Sequence, residues 1–256
     1  MKARLEGKVA IVVGAGTRGE GVGNGKATAI TFAREGAKVL CVDLDEEAAE
    51  ATTEAIRREG GHAETCVANV ANAQECQRII ETCMEHFGKV DVLHNNVGIG
   101  DGKEIVDVTE EDWDRAFSIN TKGMYLTCKY AIPRMIEGGG GSIINISSIA
   151  SVRPMSGVTY TTSKAAVNAL TIYIARRYGR YNIRANCLML GYMDTPLVAP
   201  VWQDERIREI NLKQVPMQRF GTPWEGAAVA AFLASDEASY VNGVVMPVDG
   251  GLILRI

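Results

Sequence analysis

The chain has 256 residues and a formal net charge of −4, with 46% hydrophobic and 23% charged residues. These values are typical of a globular protein that folds around one large core, here a single domain spanning residues 1–256. The acidic balance argues against a nucleic-acid-binding surface, because such a surface needs clustered lysine and arginine to neutralise phosphates. The sequence contains no membrane-spanning apolar run, and it begins with charged residues rather than a secretory signal. We therefore expect a cytoplasmic protein that binds neither nucleic acid nor membrane.

Short β-branched runs alternate with amphipathic helical patterns along the whole chain. The patterns predict strands at 9–13, 39–42, 65–68, 90–94, 142–146, 183–188 and 244–248, and helices at about 25–35, 45–59, 72–87, 111–137, 157–179 and 223–235. Several strands are nearly continuous apolar runs, which is typical of strands buried on both faces. Strict alternation of strand and helix predicts an α/β fold with a doubly wound (Rossmann) parallel sheet and helices on both faces.

One segment, residues 191–214, departs from this alternation and is predicted to be irregular. It carries Pro196, Pro200 and Trp202 and follows the carboxyl end of a strand. Open α/β sheets bind their ligands at that edge, so we interpret the segment as a mobile substrate lid. The alternative is a plain surface excursion.

The six cysteines and three histidines show no metal-binding pattern. No Cys-x-x-Cys pair and no histidine at zinc-finger spacing occurs, so we predict no metal site. Most of the cysteines lie in apolar segments, which predicts buried free thiols in a reducing compartment. The six cysteines are Cys41, Cys66, Cys76, Cys83, Cys128 and Cys187.

A glycine-rich loop, residues 14–25, lies between the first strand and the first helix. Glycines in this context let the backbone approach a pyrophosphate at the helix N-terminus. The second strand ends at Asp43, whose carboxylate can accept both hydrogens of an adenosine ribose diol and would repel a 2′-phosphate. Alternatively, Asp43 only caps the next helix. A nucleotide-hydrolase phosphate loop is excluded because Glu20 and Ala27 stand where that motif needs glycine and Ser/Thr.

The second candidate group is Tyr160 and Lys164, which a spacing of four places on one helix face. A free tyrosine has a pKa of about 10, so proton exchange near pH 7 requires a lower value. The Lys164 ammonium and the positive ring of an oxidised nicotinamide both favour the phenolate. Upstream, Ser147 and Ser148 end a strand at the ligand-binding edge, where a hydroxyl can hold a substrate oxygen.

Together these motifs resemble the short-chain dehydrogenase/reductase family over almost the whole chain. The resemblance rests on the glycine-rich turn, residues 95–98 after the fourth strand, Asn120, Ser148, Tyr160-x-x-x-Lys164 and residues 247–251. It implies that Tyr160 is the acid/base and that Ser148, three residues after Asn145, orients the substrate oxygen. It also implies that Lys164 binds the nicotinamide ribose and lowers the pKa of Tyr160, that Asn120 holds a water of the proton relay, and that the chain forms a homotetramer through 111–137 and 157–179.

The sequence also departs from the family pattern. The glycine loop carries extra residues between Thr17 and Gly23, Val97 replaces the usual alanine, and Leu190 replaces the usual proline. Asn69 stands where an aspartate often contacts adenine. The candidate cofactor-binding residues are Gly14, Gly23, Asn24, Gly25, Asp43, Asn69, Val70, Asn96, Tyr160, Lys164 and Thr195.

These features predict an NAD(H)-dependent oxidoreductase that interconverts a secondary alcohol and a ketone. We expect a largely apolar pocket lined by Met155, Val158, Tyr192, Met193, Val198, Val201 and Trp202. One alternative is an NADP(H)-dependent reductase of 3-oxoacyl or sugar ketones, with Arg18 of the lengthened loop as the phosphate partner. An epimerase or dehydratase, and a non-catalytic nucleotide-sensing protein of the same fold, are further alternatives.

Overall fold

Seven parallel strands form one sheet in the order β3-β2-β1-β4-β5-β6-β7 in a computed structural model of the chain. The structure describes residues 3–17, 19–154, 156–196, 198–199 and 203–254. The strands are β1 Val9–Val13, β2 Lys38–Asp43, β3 His62–Val67, β4 Val92–Asn95, β5 Gly141–Ser148, β6 Ile183–Leu190 and β7 Val245–Val248.

The described helices connect these strands. They are α1 Asn24–Arg34, α2 Glu46–Arg58, α3 Ala73–Phe87, α4 Glu110–Phe117, α5 Gly123–Glu137, α6 Val158–Tyr178, α7 Glu205–Gln214 and α8 Pro223–Ala234. A π-helical turn, Ser118–Lys122, joins α4 to α5, and short 3₁₀ turns follow β5, α6, α8 and β7.

Alternate residues of each central strand enter two separate cores, one on each face of the sheet. Ile11 of β1 packs in a cluster with residues of α3, α5 and α6. Val12, its neighbour, packs in a second cluster with residues of α1, α2 and α8. Successive strand side chains point to opposite faces, so strands buried in this way must be apolar at every position. The predicted doubly wound α/β fold is confirmed.

The strand order places a crevice between the carboxyl ends of β1 and β4. The chain moves outward from β1 to β3 and then returns to pair β4 with the other edge of β1. Ligands of open α/β sheets bind at such a reversal. The glycine-rich loop leaves β1 here, and residues 96–103 leave β4 on the other side of the crevice.

Two predicted elements need correction. The helix predicted over 111–137 is divided into α4, the π-helical turn and α5. The segment predicted to be irregular, 191–214, ends in helix α7, which begins where the Asp204 carboxylate accepts hydrogen bonds from the amides of Arg206 and Ile207. None of the residues of α7 is buried, so its sequence lacks the apolar periodicity that identifies a helix.

The six cysteines are free and buried, as predicted. Among the described residues, no helix has both the length and the apolar character needed to cross a bilayer. The same part of the chain holds no group of three or more His, Cys, Asp or Glu side chains suited to a metal ion.

Candidate active site

The buried ammonium of Lys164 is held by the main chain of two strands. Its Nζ donates to the Ile146 carbonyl of β5 at 2.9 Å and lies 3.5 Å from the Val97 carbonyl after β4. The same Nζ is 5.7 Å from the centre of the Tyr160 ring. Burial lowers the pKa of Lys164 to about 8, because carbonyl groups replace bulk water around the charge. Lys164 is therefore a cation at neutral pH that is fixed beside Tyr160.

Ser148 lies within hydrogen-bonding reach of Tyr160, whereas Ser147 points away from it. Ser147 donates from Oγ to the main-chain carbonyl of Lys164 at 3.0 Å and is buried. Burial raises the pKa of Tyr160, and a hydrogen bond with Ser148 acts in the opposite direction. In the protein alone this shift is opposite to the predicted lowering, because desolvation of the phenol outweighs the hydrogen bond with Ser148. The second predicted cause of a lower pKa, the nicotinamide charge, acts only with the cofactor bound.

Asn120 lies in the π-helical turn and joins the segment after β4 to helix α6. Its Oδ1 accepts from the Ile99 amide at 2.8 Å, and its Nδ2 donates to the Ile99 carbonyl at 2.8 Å and to Ser163 Oγ at 2.9 Å. The π-helical turn thus places a fully buried carboxamide between these two elements. One lone pair of Oδ1 remains for a further donor, such as a water molecule.

A chain of buried hydrogen bonds crosses the sheet beneath these residues. Thr127 of α5 donates to Asn95 of β4 at 2.8 Å, and Asn95 donates to Asn145 of β5 at 2.9 Å. Asn145 then donates to Thr171 of α6 at 2.9 Å. Satisfied networks of this kind fix one arrangement of the elements that share them. The network therefore sets the position of α6, which carries Tyr160 and Lys164, against the two central strands.

The glycine-rich loop packs too closely for larger residues. A Cβ at Gly25 would lie 1.8 Å from the Gly14 carbonyl oxygen, and a Cβ at Gly14 would lie 2.9 Å from Val97. Gly14 also has a φ of +82°, which other residues rarely adopt. Asn96 completes the contact by donating from Nδ2 to the Gly14 carbonyl at 3.1 Å. Three of the predicted cofactor residues are thus brought together at the crevice.

The N-terminus of α1 offers unsatisfied polar groups to a ligand. The first main-chain hydrogen bond of α1 runs from the Ala27 amide to the Gly23 carbonyl, so the amides of residues 24–26 have no acceptor within the helix. The N-cap residue, Gly23, has no side chain that could accept from them. The Oδ1 atom of Asn24 is buried without a hydrogen-bond partner; as an acceptor it needs a donor such as a hydroxyl, so the free amides, and not this oxygen, are the groups that suit a phosphate. A pyrophosphate supplies the negative charge and acceptors that such a helix terminus binds. The residues present therefore fit a dinucleotide.

Asp43 lies against the glycine-rich loop at the end of β2. Its carboxylate accepts from the Gly16 amide at 2.9 Å and from the Asp45 amide at 3.2 Å. Asp45, rather than Asp43, caps α2 by accepting from the Ala48 amide at 3.1 Å. A Cβ at Gly16 would lie 2.8 Å from the Asp43 carboxylate, so this approach requires glycine. The list of candidate cofactor residues omits Gly16, although the Gly-Ala-Gly sequence is a signal that identifies it as a close approach of the loop.

The remaining predicted cofactor residues lie at the carboxyl ends of other strands. After β3, the Asn69 amide donates to Glu75 at 2.8 Å, and the Asn69 side chain accepts from the Ala71 amide at 3.0 Å. Val70 packs against α5, where a Cβ at Gly123 would lie 3.0 Å from it. Thr195 follows β6 and is buried. The same edge of the sheet therefore gathers these residues with the glycine loop.

A cavity of about 370 Å³ opens beside the segment that follows β6. Tyr192 and Met193 line it together with the charged side chains Arg219, Glu225 and Asp249. Val158, another predicted pocket residue, is the first residue of α6, two positions before Tyr160. Val198 is half-buried. Three further predicted pocket residues lie outside the described residues, as does the loop residue proposed to contact a phosphate. They are Met155, Val201, Trp202 and Arg18.

Known proteins resemble this chain over nearly its full length. A family model described as enoyl-(acyl carrier protein) reductase matches residues 20–253. A 3-oxoacyl-(acyl-carrier-protein) reductase of Thermotoga maritima is 38% identical over 98% of this chain and 100% of its own length. A 7α-hydroxysteroid dehydrogenase of Clostridium sardiniense is 39% identical over 98% of this chain and 95% of its own length.

The chain belongs to the short-chain dehydrogenase/reductase family. A solved structure from Agrobacterium tumefaciens, described as a 2-deoxy-D-gluconate 3-dehydrogenase with bound NADP, superposes with a TM-score of 0.90 at 29% identity and covers 99% of both chains. Members of this family are oxidoreductases that use a nicotinamide cofactor. This chain is therefore an oxidoreductase of the family.

Proposed function

We propose that this protein is an NAD(H)-dependent dehydrogenase/reductase that interconverts a secondary alcohol and a ketone. The observation that carries the proposal is the placement of Ser148, Tyr160 and a buried Lys164 ammonium side by side. They lie at the sheet edge that also holds the free N-terminus of α1. A non-catalytic nucleotide-sensing protein would have no need of this group of side chains.

Tyr160, Ser148 and Lys164 have different roles in the proposed reaction. In the oxidative direction, Tyr160 as phenolate accepts the hydroxyl proton of the alcohol, and Ser148 donates a hydrogen bond to the same substrate oxygen. The Lys164 ammonium favours the phenolate through its charge, since Ile146 and Val97 hold it near the ring. In the reductive direction, Tyr160 returns the proton to the ketone oxygen. A nicotinamide cofactor held by the glycine-rich loop and Lys164 would supply the hydride chemistry of both directions.

The position of Asp43 supports NAD(H) as the cofactor. Its carboxylate is directed to the glycine-rich loop by the Gly16 and Asp45 amides. From there it can accept hydrogen bonds from a ribose diol, and it would repel a 2′-phosphate. Leu44 follows Asp43, so the adjacent position offers no cation for a phosphate. The related structure with bound NADP supports the alternative cofactor, for which Arg18 is the candidate partner.

The substrate we propose is an apolar, cyclic or aromatic secondary alcohol. Support comes from Tyr192 and Met193, which line the cavity beside the segment that follows β6, and from the relative that is a hydroxysteroid dehydrogenase. A 3-oxoacyl or sugar ketone is the second candidate, supported by the Thermotoga relative and by the Agrobacterium structure. Residues 191–214 remain our proposed lid over this substrate.

Exposed apolar side chains support a homotetramer packed through 111–137 and 157–179. They are Trp113, Tyr125, Ile172 and Tyr173, each at least 39% exposed. Exposed apolar side chains on these helices can pack against another subunit. Six free buried thiols support a cytoplasmic location, where the environment is reducing.

Absorbance of NADH and NADPH at 340 nm tests the function directly. The panel contains cyclic and aromatic secondary alcohols, sugar alcohols, a 3-oxoacyl thioester and the matching ketones, each assayed with both cofactors. Turnover of at least one alcohol–ketone pair with a preference for NAD(H) supports the proposal. Binding of NADH without turnover across the panel contradicts it and favours the nucleotide-sensing alternative.

A further inference from the structure

The segment after β4, residues 98–103, forms one wall of the candidate active site and contacts three of its four polar side chains. A Cβ at Gly98 would lie 2.8 Å from Lys164 Nζ, and a Cβ at Gly100 would lie 3.3 Å from Tyr160 Cβ and Cδ2. Between these glycines, Ile99 exchanges two hydrogen bonds with Asn120. The position of this wall therefore limits where the Tyr160 ring can lie.

The far end of the wall is attached to the first turn of α6 by one carboxylate. Asp101 accepts from the Thr159 hydroxyl through Oδ1 and Oδ2, both at 3.2 Å, and from the Lys103 amide at 3.0 Å. Thr159 is fully buried and immediately precedes Tyr160. The Val158 amide donates to the Lys103 carbonyl at 3.1 Å, which closes the attachment on the main chain.

The N-cap residue of helix α6 provides no capping side chain. Its N-cap residue is Gly157, which makes no side-chain cap bond, and a Cβ there would lie 2.7 Å from the Lys103 amide nitrogen. An acid at a helix N-terminus interacts favourably with the helix dipole. Asp101 thus places, from a different segment, a negative charge near the turn that carries Tyr160, and it holds that turn through the Thr159 hydroxyl rather than through a main-chain amide of α6.

We propose that Asp101 is a positioning residue, which acts through Thr159 to hold the 98–103 wall and the first turn of α6 in the arrangement that sets Tyr160 against Ser148 and Lys164. This inference rests on the proposed function for its kinetic consequence. The attachment itself is a property of the fold that can be measured without turnover.

The kinetic test compares Asp101→Ala with Asp101→Asn, which keeps a side-chain oxygen able to accept from Thr159. Displacement of a reacting group by a fraction of an ångström lowers turnover without removing binding contacts. We expect Asp101→Ala to lower kcat about 10-fold while the Kd for NADH changes less than about 2-fold. Asp101→Asn should retain kcat within about 3-fold of wild type, because the acceptor is preserved. Glu104→Ala, which removes an exposed acid immediately after the segment, is the control and should leave kcat unchanged.

A merely structural role would lower stability without changing the titration of the site. We therefore expect the pH at which alcohol oxidation is half-maximal to move upward in Asp101→Ala, because Tyr160 loses its alignment with Ser148, and to stay in place in Asp101→Asn. Thr159→Val should reproduce the effect of Asp101→Ala, whereas Thr159→Ser keeps the hydroxyl and should behave like wild type. The double variant Asp101→Ala/Thr159→Val should have a kcat no lower than that of either single variant. Wild-type kcat and an unmoved pH profile in Asp101→Ala would overturn the proposal.

Hydrogen exchange separates this inference from the proposed function. The Val158 amide should exchange at least about 10-fold faster in Asp101→Ala than in wild type, since its acceptor, the Lys103 carbonyl, is no longer fixed. If the wild type turns over no substrate, the proposed function fails, and the exchange rate at Val158 still decides whether Asp101 fixes the wall. Unchanged exchange in Asp101→Ala would refute the attachment.

Discussion

Lys164 Nζ donates to the Ile146 carbonyl at 2.9 Å, so the helix that carries Tyr160 is tied through its buried ammonium to the strand that ends at Ser148. The contact joins the proposed acid/base and the substrate-orienting hydroxyl into one rigid unit. The hydrogen-bond acceptor of the ammonium is a main-chain carbonyl rather than a carboxylate. Its charge is therefore not neutralised by an acid and remains available to stabilise a phenolate.

The first prediction concerns Tyr160. Tyr160→Phe keeps the ring that packs against Gly100 but removes the proton that the mechanism uses. General acid–base groups contribute about 10²–10⁴-fold, so kcat should fall by that amount while the Kd for NADH stays close to wild type. Steady-state rates and NADH fluorescence titration measure the two quantities. Tyr240→Phe, at a fully exposed position outside the proposed subunit contacts, is the control. A Tyr160→Phe enzyme with near-wild-type kcat would refute the role of Tyr160.

The second prediction concerns the pH dependence of alcohol oxidation. Burial raises the pKa of Tyr160 in the protein alone, so the charges of Lys164 and of the bound nicotinamide must act together to lower it. Oxidation should rise with pH through an apparent pKa below the free phenol value of about 10, a property of the coupled site rather than of Tyr160 alone. Lys164→Met should move this inflection to higher pH and weaken cofactor binding. Identical inflections in wild type and variant would show that Lys164 does not act on Tyr160.

The third prediction concerns His94, a fully buried residue of β4 whose two ring nitrogens have no hydrogen-bond partner. Its ring packs edge-on against Phe32, and burial lowers its pKa to about 3. The unfolded chain takes up this proton near pH 6.5 and the folded chain does not, so the free energy of unfolding should decrease as pH falls from 6.5 towards 3. The slope from one such group is about 1.4 kcal/mol per pH unit.

His94→Leu should remove this part of the acid sensitivity. Urea denaturation at pH 7, 6, 5 and 4 would measure it as a shallower loss of stability with falling pH than in wild type. His62→Gln, an exposed histidine at the start of β3, is the control and should follow the wild-type slope. Parallel curves for wild type and His94→Leu would show that His94 is not the group responsible.

The sequence predicted the sheet, most helices and the placement of the candidate catalytic residues because these depend on local periodicity and on known motifs. It could not predict the contacts of the 98–103 wall, since Gly98, Gly100 and Asp101 meet α6 only after the chain has folded. It also missed α7, a helix with no buried face. The sequence could not predict the direction of the Tyr160 pKa shift either, because that direction depends on burial, and burial is known only from the folded structure.

The last prediction concerns the cofactor. Asp43 is fixed by the amides of Gly16 and Asp45, so a 2′-phosphate in that place would meet a carboxylate that cannot easily move away. Like charges brought together in a partly desolvated site cost several kcal/mol, which corresponds to about 10²-fold or more in kcat/KM in favour of NAD(H). Comparison of kcat/KM for both cofactors with one substrate measures the preference. Equal or better values with NADP(H) in the wild type would contradict the assignment.

Variants of the two neighbouring acids separate the charge of Asp43 from its surroundings. Asp43→Ala should erode most of the preference, mainly by improving the use of NADP(H), because the repulsive charge disappears. Asp45→Asn removes a charge two residues away yet keeps an oxygen that can cap α2, so its preference should remain that of wild type. If both variants lose the preference for NAD(H), the combined negative charge of Asp43 and Asp45, and not Asp43 alone, selects the cofactor. A loss confined to Asp43→Ala assigns the selection to the one carboxylate that the glycine-rich loop holds in place.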